Sequence, residues 1–323
     1  MTVIEQPHDE FVRLTGPFRR ELLTYCYRML GSVQDAEDLV QETYLRAWRS
    51  YEDFQGRASL RTWLYRIATN ACLNALRHSS RRVLPAGLGG PATDPITLGR
   101  RDPEIPWLEP IPDEQADPAA VVAGRAGLRL ALIAALQHLP ARQRTVLILR
   151  DVLAWSAEEA AHVLGITPAA VHSTLQRARA RLDRLEPAIE EIAEPAEQEQ
   201  RDLLDRYADA FERADIATLT RLLTEDAVWQ MPPNPSWFAG RDSVIGLLAV
   251  RLRNKGTRLV PLRANAQPGF AMYHNGDAFA VQVITLRGPA VAAVTAFHDP
   301  ALVRRFGLPL RIGTPNSPDP HAS

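Results

Sequence analysis

The sequence predicts a multidomain chain: two all-α blocks separated by an acidic, Pro/Gly-rich linker, then an α+β domain. Three observations carry that prediction. Residues 8–82 and 119–186 are rich in Leu, Ala, Arg and Glu, and the first block holds no proline between Pro17 and Pro85. Residues 83–118, with PAGLGGPATDP and RDPEIPWLEPIPDEQADP, are dominated by proline and glycine and have no periodicity. From about residue 197, two amphipathic stretches precede a series of β-like runs.

Bulk properties narrow the classes. The 323 residues are 46% hydrophobic and 23% charged, a globular composition long enough for two or three domains. No run of eighteen apolar residues exists, so no membrane span is expected. The start, MTVIEQPHDEFVRL, has neither the basic flank nor the apolar stretch of a signal peptide. Cys26 and Cys72 are the only cysteines, which fits a reducing cytoplasm and neither a disulfide framework nor a zinc site. The net charge of -1 hides alternating blocks. Residues 57–82 carry six arginines and no acid, and residues 125–185 carry nine arginines against four acids. The linker between them is acidic, with seven acids and two arginines over 83–124. Two separated basic segments either touch a polyanion in two places or are ordinary solvated helix faces.

Within the first block, Gly31 and Gly56 are natural helix stops. Asp35–Trp48 reads as one amphipathic helix. Ala36, Leu39, Val40, Thr43, Ala47 and Trp48 lie on one side; Asp35, Asp38, Gln41 and Glu42 lie on the other. An acidic exposed face repels DNA and is left to meet solvent or a protein. The next helix, within Ala58–Arg77, has a buried stripe of Leu64, Ala68, Ala71 and Ala75. Its polar stripe is Arg66, Asn70, Asn74, Arg77 and Arg81, with Trp63 and Tyr65 beside the basic groups. Basic residues next to aromatics suit single-stranded nucleic acid, where bases stack and phosphates are neutralised. Trp63 filling the core is the competing reading.

The second block holds the clearest motif, Ser156–Leu182. Ser156 with Glu159 forms a capping box, Ala160, Val163 and Leu164 give an apolar face, and Gly165 supplies a turn. Thr167 caps a second helix whose first position, Pro168, needs no N–H partner. Val171, Leu175, Ala178 and Leu182 then point inward. His172, Ser173, Gln176, Arg177 and Arg179 face outward, where a helix lying in a major groove would offer them to base edges and phosphates. Cap, glycine turn, proline start and basic outer face agree on a helix-turn-helix, against a plain helical hairpin.

After Pro187 and Pro195, residues 199–213 and 215–224 read as helices. The β-like runs are Ala227–Met231, Arg258–Ala264, Gly269–Tyr273, Ala278–Leu286 and Ala290–Phe297. Asn275-Gly276 between two such runs is a hairpin signal. Asp226, His274, Asp277, His298 and Asp299 are the candidate acids and bases. Asp277 and His298-Asp299-Pro300 suit turns better than a buried base, and no acid/base pair is visible. Trp229, Trp237, Phe270, Phe279 and Phe297 either line a ligand cavity or pack a core. The tail PNSPDPHAS is expected to be disordered.

Together, DAEDLVQETYLRAW (35–48), ASLRTWLYRIATNACLNALR (58–77) and LPARQRTVLILRDVLAWSAEEAAHVLGITPAAVHSTLQRARARL (139–182) resemble the extracytoplasmic-function sigma factors of bacterial RNA polymerase. The resemblance implies sigma domain two over 8–82, a linker over 83–120 and sigma domain four over 121–186. Asp38, Gln41 and Glu42 would then dock on the clamp helices of the polymerase core. The segment from Gly56 to Arg77 would hold the melted minus-ten element through Arg57, Ser59, Arg61, Trp63, Asn70, Asn74 and Arg77. Arg57 and Ser59 lie in the loop that pockets a flipped base, which is affordable only where the strand is already opening. Thr167, His172, Ser173, Gln176, Arg177 and Arg179 would read the minus-thirty-five element; His172 stands where the family often has Lys or Arg. The acidic linker would thread the core near the RNA exit path.

Residues 197–312 resemble the cone-shaped SnoaL-like (cystatin-like) α+β fold, on helix order, LLTEDAVWQ (222–230) and the helix start at Gly240. Some fused sigma factors of this kind carry a glycine-rich stretch after domain four and an Asn-Pro-Asp-Lys stretch, and neither is present in this sequence. Here Pro233-Asn-Pro-Ser-Trp-Phe stands instead. The resemblance implies a non-enzymatic initiation factor whose extension regulates it. The implied partners are the RNA polymerase core, through its clamp helices and flap, and promoter DNA. A small-molecule ligand in the C-terminal domain is an open option; no cofactor, metal or membrane is expected.

Overall fold

The computed structural model describes residues 7–54, 56, 58–123, 125–185, 197–253 and 256–313. The chain divides into two compact units: Met1–Arg82 with Leu108–Ile189, and Val83–Trp107 with Glu190–Ser323.

The first unit begins with α1 (Pro7–Thr15), α2 (Arg19–Leu30), α3 (Val33–Arg49) and α4 (Leu60–Ala75). Side-chain caps start the last two: Ser32 Oγ accepts from Asp35 N (3.1 Å) and Ser59 Oγ from Thr62 N (3.0 Å). Gly31 ends α2 in the left-handed region (φ 72°), which lets α3 turn back against it. Leu22, Met29, Val33, Ala36, Val40, Leu64 and Ala68 are fully buried between α2, α3 and α4. Burying each such leucine stabilises the block by about 2 kcal/mol. Tyr25 and Thr69 hydroxyls share a hydrogen bond (2.7 Å) inside this core. Tyr65, expected beside the basic stripe, is fully buried, with its hydroxyl donating to Glu21 (2.9 Å).

The second helical block consists of α5 (Pro118–Ala123), α6 (Arg125–Leu128), α7 (Leu130–Leu136), α8 (Ala141–Leu147), α9 (Ala157–Leu164) and α10 (Pro168–Leu185). A π-turn over Ile148–Val152 continues α8. The capping box at Ser156 is present in both directions, and Gly165 sits at φ 64° between α9 and α10. The helix after the turn runs 18 residues to Leu185, within the helical block expected to end at 186.

The two blocks pack on each other within this unit. Arg144 of α8 is 4% exposed and donates to Met29 O of α2 and to Gln137 Oε1 (2.7 Å). Arg28 of α2 is 1% exposed and donates to Gly127 O (3.0 Å). Burial lowers the pKa of both guanidinium groups to about 10. The end of the proline-rich stretch also joins this unit. Tyr27 Oη donates to Glu109 O (2.8 Å), and Asp117 N donates to Thr24 Oγ1 (2.7 Å).

The second unit contains α11 (Glu197–Glu212), α12 (Ile216–Leu222), β1 (Leu223–Gln230), β2 (Trp237–Ala239), α13 (Arg241–Arg251), β3 (Thr257–Ala264), β4 (Gln267–His274), β5 (Asp277–Arg287), β6 (Ala290–Phe297) and α14 (Pro300–Arg305). The strands form one sheet in the order β2-β1-β6-β5-β4-β3, antiparallel except for β1 with β6. Register shifts at Leu223/Val228, Met272/Tyr273 and Thr285/Leu286 bend its strands. Tyr207 and Phe211 of α11 cover one face, with ring centroids 6.0 Å from Phe270 and 6.1 Å from Trp229. Asn275 and Gly276, both at positive φ, form the expected hairpin turn. Gly269 is required by close approach: a Cβ there would lie 2.3 Å from Gln282 O.

Three elements depart from the sequence reading. The helix expected over 215–224 ends at Leu222, and the chain is already β1 from Leu223. β2 was not anticipated, being only three residues long. Asp299-Pro300 starts a helix: Asp299 Oδ1 accepts from Ala301 N (2.9 Å) and proline takes the first position. The expected disordered tail lies outside the described residues.

Candidate nucleic-acid interface

The outward face of α10 is assembled as the sequence anticipates. Val171, Leu175 and Ala178 are buried, which turns His172, Ser173, Gln176 and Arg177 outward, all exposed. Thr167 Oγ1 accepts from Ala170 N (3.2 Å), fixing the start of the helix. Arg177 donates to Thr174 Oγ1 (3.1 Å), which aligns its guanidinium along the helix. Arg179 is already engaged. Its guanidinium meets Asp151 in a two-pronged ion pair (2.8 and 2.6 Å) that raises its pKa, so its role is at least partly internal.

Arg66, Asn70 and Asn74 are exposed along one side of α4, and Arg77 is exposed in the turn that follows it. Trp63 is half-buried against Phe54, ring centroids 4.8 Å apart. Ser59 is the helix cap, its hydroxyl 2.8 Å from Thr62 Oγ1. Arg57 lies outside the described residues. Arg61 turns inward: its Nε donates to Glu21 Oε1 (2.7 Å), and its guanidinium carbon sits 4.8 Å over the Trp155 ring and 5.3 Å over Tyr65. This minus-ten candidate is therefore engaged by α2 and by Trp155 before the helix-turn-helix, while its side chain stays 38% exposed. No sequence signal marks that contact, because Trp155 is 94 residues away along the chain.

The α3 face presents Asp38 and Gln41, both exposed, and Glu42, which pairs with Arg46 (2.5 Å). Sequence reasoning missed Leu45, which is 58% exposed one turn beyond Gln41. Trp48, expected on the inner side, is 38% exposed and leans on Phe11 (5.3 Å). An acidic strip ending in two exposed apolar side chains fits a protein partner.

The C-terminal candidates are held apart by separate partners. Asp226 pairs with Arg287 (2.9 Å), which holds its carboxyl below the usual range. Asp277 pairs with Arg311 (2.9 Å), and Asp299 is a helix cap. His298 is mostly buried and its pKa falls to about 4, by desolvation and then by the nearby Arg101 and Arg251. Trp229, Phe270 and Phe297 are core, whereas Phe279 is 43% exposed. No helix of the described residues is long and apolar enough to cross a membrane.

A helix-turn-helix with a polar reading face and a separate basic helical block, on one chain with an acidic apolar-tipped face, define a promoter-recognition subunit. Residues 14–82 match the Sigma-70 region 2 family, and residues 129–182 match Sigma-70 region 4. The chain is 48% identical to the ECF RNA polymerase sigma factor SigG of Mycobacterium tuberculosis, covering 94% of this chain and 86% of that one. It is 29% identical to the ECF sigma factor SigW of Bacillus subtilis over 53% of this chain and 86% of that one. The crystal structure of the M. tuberculosis ECF sigma factor SigJ shares the fold over 94% of this chain and all of that one (TM-score 0.63, 24% identity). The chain belongs to the extracytoplasmic-function sigma factor family, whose members bind RNA polymerase and promoters and are not enzymes. Its C-terminal domain has the α+β architecture expected from the sequence, helices followed by a bent six-stranded sheet, and SigJ shares this fold.

Proposed function

We propose that this sigma factor reads the minus-thirty-five element with the exposed face of α10 and holds the melted minus-ten element with α4. The core docks on α3, and the C-terminal domain regulates the whole. The observation that carries this reading is the outward row His172, Ser173, Gln176 and Arg177, set on a capped helix whose opposite face is buried. Asn70, Asn74 and Arg77 form the second reading surface, and half-buried Trp63 stands at its edge. Asp38, Gln41, Glu42 and Leu45 form the polymerase-facing strip.

The arrangement within the first unit supports a need for regulation. The two promoter elements lie about 25 base pairs apart, or roughly 85 Å along a duplex. In the free chain α4 touches α9, and Arg61 lies over Trp155. Domains packed this closely must separate before both elements are read. The two buried guanidiniums, Arg28 and Arg144, make that separation affordable, because burying a charge opposes the Coulombic and hydrogen-bond gain of the closed form.

The test is a mobility-shift experiment on a promoter fragment with purified core polymerase. The chain alone leaves the fragment unshifted, and the chain with core shifts it. A shift by the chain alone, as strong as with core, overturns the reading in favour of a one-component repressor or activator. Severing the chain between α10 and α11 changes the yield of the shifted complex. An unchanged yield from a folded, severed protein overturns regulation by the C-terminal domain.

A further inference from the structure

The reading helix is longer than the groove it enters. At 1.5 Å per residue, the 18 residues of α10 extend about 27 Å, whereas a major groove is about 12 Å wide. With its capped start among the base edges, the C-terminal half of α10 has to leave the groove and pass beside the phosphates.

Along that length the exposed side chains form two rows of opposite electrical character. One row continues from His172 and Gln176 to Arg179 and Asp183, at helical spacing. Its charge is cancelled. Both oxygens of Asp151, in the turn that ends α8, hold the Arg179 guanidinium (2.8 and 2.6 Å), and Asp183 is the next acid beside it. The other row is Arg177, Arg181 and Arg184, also at helical spacing and all exposed. Among the described residues none of these three has a carboxylate partner. Arg177 donates to Thr174 Oγ1 (3.1 Å) and Arg184 to Ala180 O (3.1 Å), contacts that point both guanidiniums back along the helix.

More positive charge surrounds the middle of this second row. Arg81 Nη1 donates to His138 Nδ1 (2.8 Å), so that imidazole nitrogen is a neutral acceptor. Burial, then Arg81, Arg181 and Arg144, hold the His138 pKa below its ordinary value. Arg82, the next residue, is by contrast tied to Asp35 (2.6 Å). Like charges at this spacing oppose a helix, so the arginine row costs stability that a bound anion returns.

We propose that Arg177, Arg181 and Arg184 form a rail for the phosphate backbone beside the minus-thirty-five element, and that Asp151 keeps Arg179 off the DNA, so that charge is supplied from one side of α10 alone. This rests on α10 as the reading helix and adds how it lies: the His172–Gln176 row towards the bases, the arginine row towards one strand. Arg177 and Arg184 are about 10 Å apart along the helix, against about 3.4 Å of advance per phosphate, enough for about three phosphates. Phosphate contacts fix register and carry no sequence preference, so the rail supplies grip and the other row supplies choice.

The test uses core polymerase loaded with the full chain. Affinity is measured by fluorescence anisotropy across a salt series, on a promoter fragment and on the same fragment with its minus-thirty-five element scrambled. Each lost phosphate contact flattens the slope of log affinity against log salt by about 0.9. Arg181→Gln and Arg184→Gln should each flatten it by about 0.9, equally on both fragments, and R181Q/R184Q by about 1.8. Both arginines are exposed, so these variants are expected to melt near wild type. Asp151→Asn should steepen the slope by about 0.9, because Arg179 is released. A wild-type slope from R181Q/R184Q overturns the rail, and so does a loss confined to the intact promoter, which is base readout. An unchanged or flatter slope from Asp151→Asn overturns the part given to Asp151. Wild type that binds the two fragments equally removes α10 as the reading helix, and the rail with it.

Discussion

At the residue scale, His298 is the clearest titrating group among the described residues. It is mostly buried, with the Phe279 ring tilted against it (centroids 5.0 Å apart), and burial first, then Arg101 and Arg251, opposes its protonation. Its folded pKa of about 4 lies below the unfolded 6.5, so the unfolded chain binds the proton first. Stability of the C-terminal domain is therefore complete above about pH 6.5 and falls as pH drops towards 4, by at most about 3 kcal/mol. Denaturant melts between pH 4 and 7 should show a shallower acid loss for His298→Gln than for wild type; parallel curves would contradict the assignment. Individual caps were legible at this scale: Ser156 with Glu159, and Thr167 before Pro168, are read directly from spacing. Arg61 was not. Its fate is set by Glu21 and Trp155, partners that meet only in the folded unit.

At the element scale, α10 and α3 make separable predictions. Gln176→Ala should weaken promoter binding by about 1–3 kcal/mol and relax preference at one base pair of the minus-thirty-five element. Arg177→Ala should weaken binding across sequences and reduce the salt slope by about 1. Competition binding on variant promoters at several salt concentrations distinguishes the two, and unchanged affinity in both would remove α10 from the interface. Leu45→Glu should weaken core binding roughly tenfold while leaving the melting temperature near wild type, since surface substitutions cost little. Equal core affinity, measured by fluorescence titration, would contradict the α3 strip. Helices with apolar spacing and capped starts were legible because local chemistry decides them. β2 and the start of β1 were not, because three residues, or two at the end of a helix, carry too little periodicity. Leu45 was missed for a related reason: spacing alone does not show that a leucine one turn beyond Gln41 has no neighbour to cover it.

At the scale of the whole molecule, the two helical blocks and the α+β domain are readable from composition, and the fold of the C-terminal domain from the order of its elements. The division of the proline-rich stretch is not. Residues 83–107 belong with the C-terminal domain and residues from Leu108 with the helical unit, although both parts are rich in proline. What separates them is tertiary: Gly89, Ala92 and Gly99 find partners on the C-terminal domain, whereas Glu109 and Asp117 find them on α2. Within the helical unit the two blocks are packed together, with Arg61 over Trp155, and the ends of the 83–107 stretch meet through Val83 N and Pro106 O.

The most direct test of sigma function is a run-off assay on genomic fragments with purified core polymerase, with and without the full chain, and with start sites mapped. Transcripts that begin at defined positions only when the protein is present, upstream of which two short elements recur about 25 base pairs apart, are the predicted result. A folded, core-binding protein that yields no defined start on any fragment, alone or severed after α10, would contradict it.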